Sequence, residues 1–123
     1  MSSEATNGSG PAFNVADAMG RLMNNKNLYK KLLDKFEAGY ADYDKQLVEA
    51  VNAQNFELGI HLAHTMKGLA GNLGAEDLQA ASLKVENLCK QGEPSPEFVP
   101  ALDLFVAELA RALEAIRGGS VVD

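Results

Sequence analysis

From Asn14 to Ile116 the apolar residues return at steps of three and four, and no stretch alternates convincingly with a period of two. A chain so patterned buries its apolar side by forming amphipathic helices that pack on one another, so the expected fold is all-α. A short first helix is predicted from Asn14, with Asp17 three residues on in capping-box style, to about Asn24. Asn27 then opens a long helix whose stripe runs Tyr29, Leu33, Phe36, Tyr40, Tyr43, Leu47, Val51. The stripe keeps its phase through Gly39, which predicts one helix with at most a bend. Asn55 caps a further helix, Phe56 to Leu73, on Leu58, Leu62, Met66, Leu69 and Leu73. Gly74 stops it, and another helix follows from about Ala75 to Gln91 on Leu78, Ala81, Val85 and Leu88. Ser95 and Pro96 suit the start of a last helix that buries Leu102, Phe105, Leu109, Leu113 and Ile116. Four substantial helices with short connections predict an antiparallel four-helix bundle with a short additional N-terminal helix.

The 123 residues fit one domain, placed at 13–117, between a leader over 1–12 expected to be disordered and a flexible tail over 118–123. Hydrophobic residues make up 46% of the chain, enough for a core without staples. The lone Cys89 excludes an internal disulfide framework and points to a reducing, cytoplasmic setting. No apolar run reaches the roughly 20 residues of a membrane span, and the first ten residues lack the basic and apolar regions of a signal peptide. A net charge of -6 with no basic patch argues against nucleic acid as a partner.

The segment Ile60–Gly74 departs from what a merely structural helix needs. Gly68 and Gly71 fall inside it, where glycine costs about 1 kcal/mol relative to alanine. Turning about 100° per residue places Ile60, His64, Lys67 and Gly71 opposite the buried stripe, with Gly68, His61 and Glu57 at the margin. His64 thus has a lysine at i+3 and glycines at i+4 and i+7, so bare backbone lies beside an exposed imidazole. Neutral imidazole is a nucleophile near physiological pH, and an ammonium one turn away can stabilise a phosphoryl group held on it. Glycines let another molecule's backbone approach. Phosphoryl transfer through His64 is the chemistry this arrangement suits.

A partner for the ring follows from spacing. If Gly74 makes a tight turn, the residue level with His64 lies ten to twelve positions beyond it, and Glu86 falls in that window. A carboxylate accepting from one ring N–H would fix the tautomer and free the other nitrogen. Gln79 and Lys90 share that flank at heights further from His64.

The run His64-Thr65-Met66-Lys67-Gly68-Leu69-Ala70-Gly71-Asn72-Leu73-Gly74-Ala75 resembles the signature of histidine-containing phosphotransfer (HPt) domains. Asn27–Leu33 with Phe36 resembles that family's second helix, and Leu78, Ala81 and Leu83–Glu86 resemble its hairpin partner, so the likeness covers about residues 13–117. The resemblance implies that His64 is phosphorylated, that Lys67 assists, that Gly68 admits the partner and that Glu86 bonds the second ring nitrogen. It also implies receiver domains of response regulators or hybrid histidine kinases as partners. Those would supply the aspartyl phosphate and the Mg²⁺, while the domain itself would have no cofactor and no kinase or phosphatase activity. Leu69 and Ala70 depart from the Ser or Ala pair often found after Lys-Gly, a difference expected to touch packing alone.

Other readings stand beside this one. Glu57, His61 and His64 invite a metal site, but no further ligand is evident and a solvated His61 that touches the partner is preferred. Ile60 could form a docking patch with Met19, Leu22 or Met23. Tyr29, Tyr40 and Tyr43 are assigned to packing, Cys89 to the interior, and Lys30 and Lys31 to water. As alternatives, the same face could dock a signalling partner without a covalent step, or the chain could be the phospho-accepting domain of a chemotaxis-type kinase. The protein is expected to act as a monomer.

Overall fold

Three of the helices begin at an asparagine whose side chain accepts from a backbone N–H exposed by the first turn. Asn14 takes the N–H of Asp17, Asn25 that of Leu28, and Asn55 that of Leu58. The computed structural model describes residues 11–119 and 121, and among these the structure is all-α: α1 Val15–Arg21, α2 Lys26–Tyr40, α3 Tyr43–Asn52, α4 Phe56–Leu73, α5 Glu76–Lys90 and α6 Phe98–Arg117. None of these helices is long and apolar enough to cross a membrane. The leader's first ten residues lie outside the described part, whereas Ala12 and Val121 are partly buried against the core.

The single long helix expected from Asn27 is two helices, and the chain enters the first one turn-position earlier, at Lys26. The interruption falls at Ala41–Asp42, with Gly39 still inside α2. Asp42 leaves helical geometry (φ -111°, ψ 19°), and its carbonyl accepts from Lys45 and Gln46 to start α3. Tyr40 stacks on Phe36 at 5.8 Å and meets Tyr43 edge-on at 5.0 Å, so aromatic packing spans the break. The stripe keeps its phase across it, which is why periodicity alone could not reveal the interruption.

α2 and α3 return along α4. The buried Tyr29 hydroxyl donates to the Leu73 carbonyl at 2.8 Å, closing one of the acceptors left open at the C-terminus of α4. Its burial pushes the phenol up to about 12. Further along, Tyr43 bonds the Thr65 side chain, so the break between α2 and α3 stands level with the turn that carries His64.

α4 and α5 form the most extensive helix pair. Gly74 joins them in left-handed geometry (φ 83°), with Ala75 N–H bonding the Ala70 carbonyl at 2.8 Å. α1 folds over this turn: Asn14 N–H donates to the Gly74 carbonyl at 2.7 Å, and a Cβ on Gly74 would run into the Asn14 carbonyl oxygen. Ile60 lies fourteen residues back along α4 from Gly74, about 21 Å at 1.5 Å per residue. The patch expected from Ile60 with Met19, Leu22 or Met23 therefore does not form. α1 also stops at Arg21, short of Asn24, because Met23 and Asn24 take positive φ.

α6 begins at Phe98. Ser95 caps the preceding turn instead, its Oγ accepting from Glu97 N–H and its carbonyl from Phe98 N–H. Tyr29, Leu47, Met66, Leu78, Val85, Phe105 and Leu109 fill the centre of the core.

Candidate functional site

His64, on the third turn of α4, projects an imidazole that is 66% exposed. Its Nδ1 lies 2.9 Å from Oε2 of Glu86, which α5 brings alongside through the Gly74 hairpin. Glu86 itself is 2% exposed. Lys67 Nζ stands 2.8 Å from Oε1 as an ion pair, and among the described residues that oxygen has no hydrogen-bond partner. Lys90, one turn beyond Glu86 on α5, places Nζ 3.5 Å from Oε2.

Burial pushes the Glu86 carboxyl up, but the contacts from Lys67 and His64 and the charges of Lys67 and Lys90 outweigh it and hold the group below its usual value. The carboxylate is therefore ionised near neutrality and can only accept. Nδ1 therefore donates in this contact, and in a neutral ring the lone pair falls on Nε2.

The structure brings His64, Lys67 and Glu86 together as the sequence spacing suggests, but it rotates the open face of α4. Glu57, His61, His64, Gly68 and Asn72 are exposed, while Ile60 and Lys67 are half-buried. Residues read as the margin are thus the middle of the face, and Asn72 completes it at i+4 from Gly68. Gly71, expected on the open strip, is buried: a Cβ there would meet the Gln79 amide at 2.6 Å. Gly68 differs, with nothing within 4 Å of a Cβ built on it. The rotation has a cause in packing. Small residues Gly59, Ala63, Ala70 and Gly71 are all buried, and Gly59 admits Cys89 Sγ to 2.7 Å from where a Cβ would lie. α5 approaches on that flank, so Leu58, at the far edge of the apolar stripe, is left 42% exposed and Leu69 half-buried.

Sequence reasoning set Lys90 aside as lying at the wrong height. An i+4 spacing from Glu86 was the available signal, since two such residues share a helix face. His61 and Glu57 both lie in water, and among the described residues no three metal-ligating side chains gather.

Among the described residues, six helices with an exposed histidine and a buried carboxylate behind it define a helical domain with a surface imidazole. A family model described as Hpt domain matches residues 31–119, most of the chain, and the chain belongs to that family, whose work is histidine phosphotransfer in two-component phosphorelays. The match begins inside α2, so α1 and the first turn of α2 lie outside it, although the resemblance in the sequence was traced from Phe13. No curated protein and no solved structure matches the chain.

Proposed function

We propose that the chain is a phosphorelay intermediate that accepts a phosphoryl group on Nε2 of His64 from the aspartyl phosphate of one receiver domain and yields it to another. One observation carries this reading: Glu86 holds Nδ1 from behind at 2.9 Å while the ring stays 66% exposed. The Nε2 lone pair forms the N–P bond as the acyl P–O bond breaks, and the leaving carboxylate of the receiver keeps the electron pair. Glu86 steadies the Nδ1–H that remains on the ring, and Lys67, one turn along, offers its ammonium to the phosphoryl oxygens. Gly68 leaves room for the receiver's backbone, with Ile60 and His61 beside it; Gly71 has no place in this contact. The receiver brings the Mg²⁺, so the domain carries the group without a kinase activity of its own.

The proposed architecture behind the site is an antiparallel four-helix bundle over residues 13–117, in which α2 and α3 together make one broken rod against α4, α5 and α6. The acidic, disulfide-free composition suits a monomer working in the cytoplasm. Incubation with a phosphorylated receiver should move label onto His64 as an acid-labile, alkali-stable bond. His64→Gln should take up none, and equal labelling of that variant would sink the assignment.

A further inference from the structure

Glu86 faces two ammonium groups, and only one is needed to neutralise it. Lys67 Nζ stands 2.8 Å from Oε1, and Lys90 Nζ stands 3.5 Å from Oε2, the oxygen that also receives His64 Nδ1. The two lysines differ in freedom. Lys67 is 27% exposed and lies on the helix of the histidine, whereas Lys90 is 56% exposed and is the last residue of α5.

The conflict lies in the role given to Lys67. Before transfer its ammonium is bound to Glu86, yet an incoming phosphoryl group brings about two negative charges to Nε2 and draws the same ammonium away. Among the described residues Oε1 has no hydrogen-bond partner and Lys67 is the ammonium 2.8 Å from it, so the departure of Lys67 with no replacement would strand an ionised, buried oxygen. Building on the reading of His64 as the phosphoryl acceptor, we propose that Lys90 is a positioning residue, a reserve counter-ion that closes on Glu86 when Lys67 turns to the phosphoryl group. Lys90 needs to move little, because it already stands against the carboxylate on a flexible stem with its head in water. The carboxylate stays neutralised, Nδ1 keeps its proton, and the ring keeps its orientation while the counter-ion changes.

Phosphoramidate serves as the test donor, because it needs no receiver: its P–N bond breaks as Nε2–P forms, and ammonia leaves. Phosphorylation is followed by ³¹P resonance and the ring by ¹⁵N shifts, in the wild type, Lys90→Gln, Lys90→Arg, Lys67→Gln and the double variant, with His64→Gln as the control. Lys90→Gln should slow phosphorylation about three- to tenfold, and Lys90→Arg should stay near wild type. The double variant should fall short of the product of the single penalties by at least about threefold, since without Lys90 the ammonium of Lys67 cannot leave Glu86. The phosphorylated ring of Lys90→Gln should keep its Nδ1–H, because Lys67 then stays on Glu86 and the loss shows in rate alone. Wild-type rates in Lys90→Gln, or penalties that multiply, overturn the proposal. A lysine that merely favours the helix C-terminus would lower thermal stability and leave the penalties independent. If the wild type takes no phosphoryl group on His64, the parent reading fails and this one with it; if it does and Lys90→Gln matches it, only the reserve counter-ion falls.

Discussion

Along one flank of α4, Gly59 and Gly71 lie under Cys89 and Gln79 of α5, while on the open face Gly68 stands bare beside His64. The helix spends glycine on both sides, and the three residues answer to different neighbours. Gly59 and Gly71 let a second helix of the same chain come close. A Cβ on Gly68 would meet no described atom within 4 Å, and on the proposed function the space over it serves a visitor. Bulk added to the first flank should therefore register in stability, and bulk added to the open face in transfer.

The hairpin turn gives the largest stability effect. Gly74→Ala places an L side chain at φ 83° and drives its Cβ onto the Asn14 carbonyl, a combined loss of about 2–5 kcal/mol. Thermal unfolding should show a midpoint lowered by roughly 10 °C or more. An unchanged midpoint would mean that α1 does not clasp the turn. Next comes Gly59→Ala, whose Cβ would crowd the buried Cys89 Sγ at 2.7 Å, costing about 1–3 kcal/mol. Adding Cys89→Ala should recover part of that loss, because it removes the sulfur. If the two penalties simply add, α5 does not close on α4 at this point. Gly71→Ala should cost far less than Gly59→Ala, since Gln79 is exposed and its amide can swing aside.

A third test addresses the carboxylate between the two flanks. Glu86 has a folded-state pKa below its unfolded value, so its charge stabilises the fold above the unfolded pKa, about 4.5, and that contribution is lost as pH falls through the folded value. Denaturant titrations from pH 7 down to pH 3 should show the wild type losing stability with a slope that Glu86→Gln lacks over the same range. Equal slopes would place the carboxylate outside the ion cluster.

The helices and the pair of Glu86 with His64 were legible because both rest on local rules: apolar period, capping asparagines, and a turn that sets two helices in register. What escaped depended on rotation about a helix axis. The stripe of α4 fixed which residues are apolar but not how far α5 would lean onto the small-residue flank, and that lean buries Gly71 and uncovers Leu58. The break at Ala41–Asp42 escaped for a related reason, since an interruption that preserves phase leaves the pattern unmarked. Lys90 reaches Glu86 from one turn further along α5 because its side chain is several bonds long, a reach that height along the helix does not register.

The smallest expected effect separates the two flanks most cleanly, because its sign reverses. Gly68→Ala meets no atom and replaces glycine by the best helix former, so the fold should gain about 0.5–1 kcal/mol. Gly68→Gln should keep part of that gain, as its side chain extends into water. On the receiver-docking reading, Gly68→Ala leaves much of the transfer rate intact, while Gly68→Gln slows it by roughly tenfold, since a side chain that obstructs docking costs about 1–2 kcal/mol. Glycine at this position would then weaken the fold for the sake of access. Were Gly68→Gln to transfer at the wild-type rate, the bare backbone beside His64 would have no visitor to accommodate. Were Gly68→Ala to destabilise the protein, the space over it would not be open, and the contrast between the two sides of α4 would collapse.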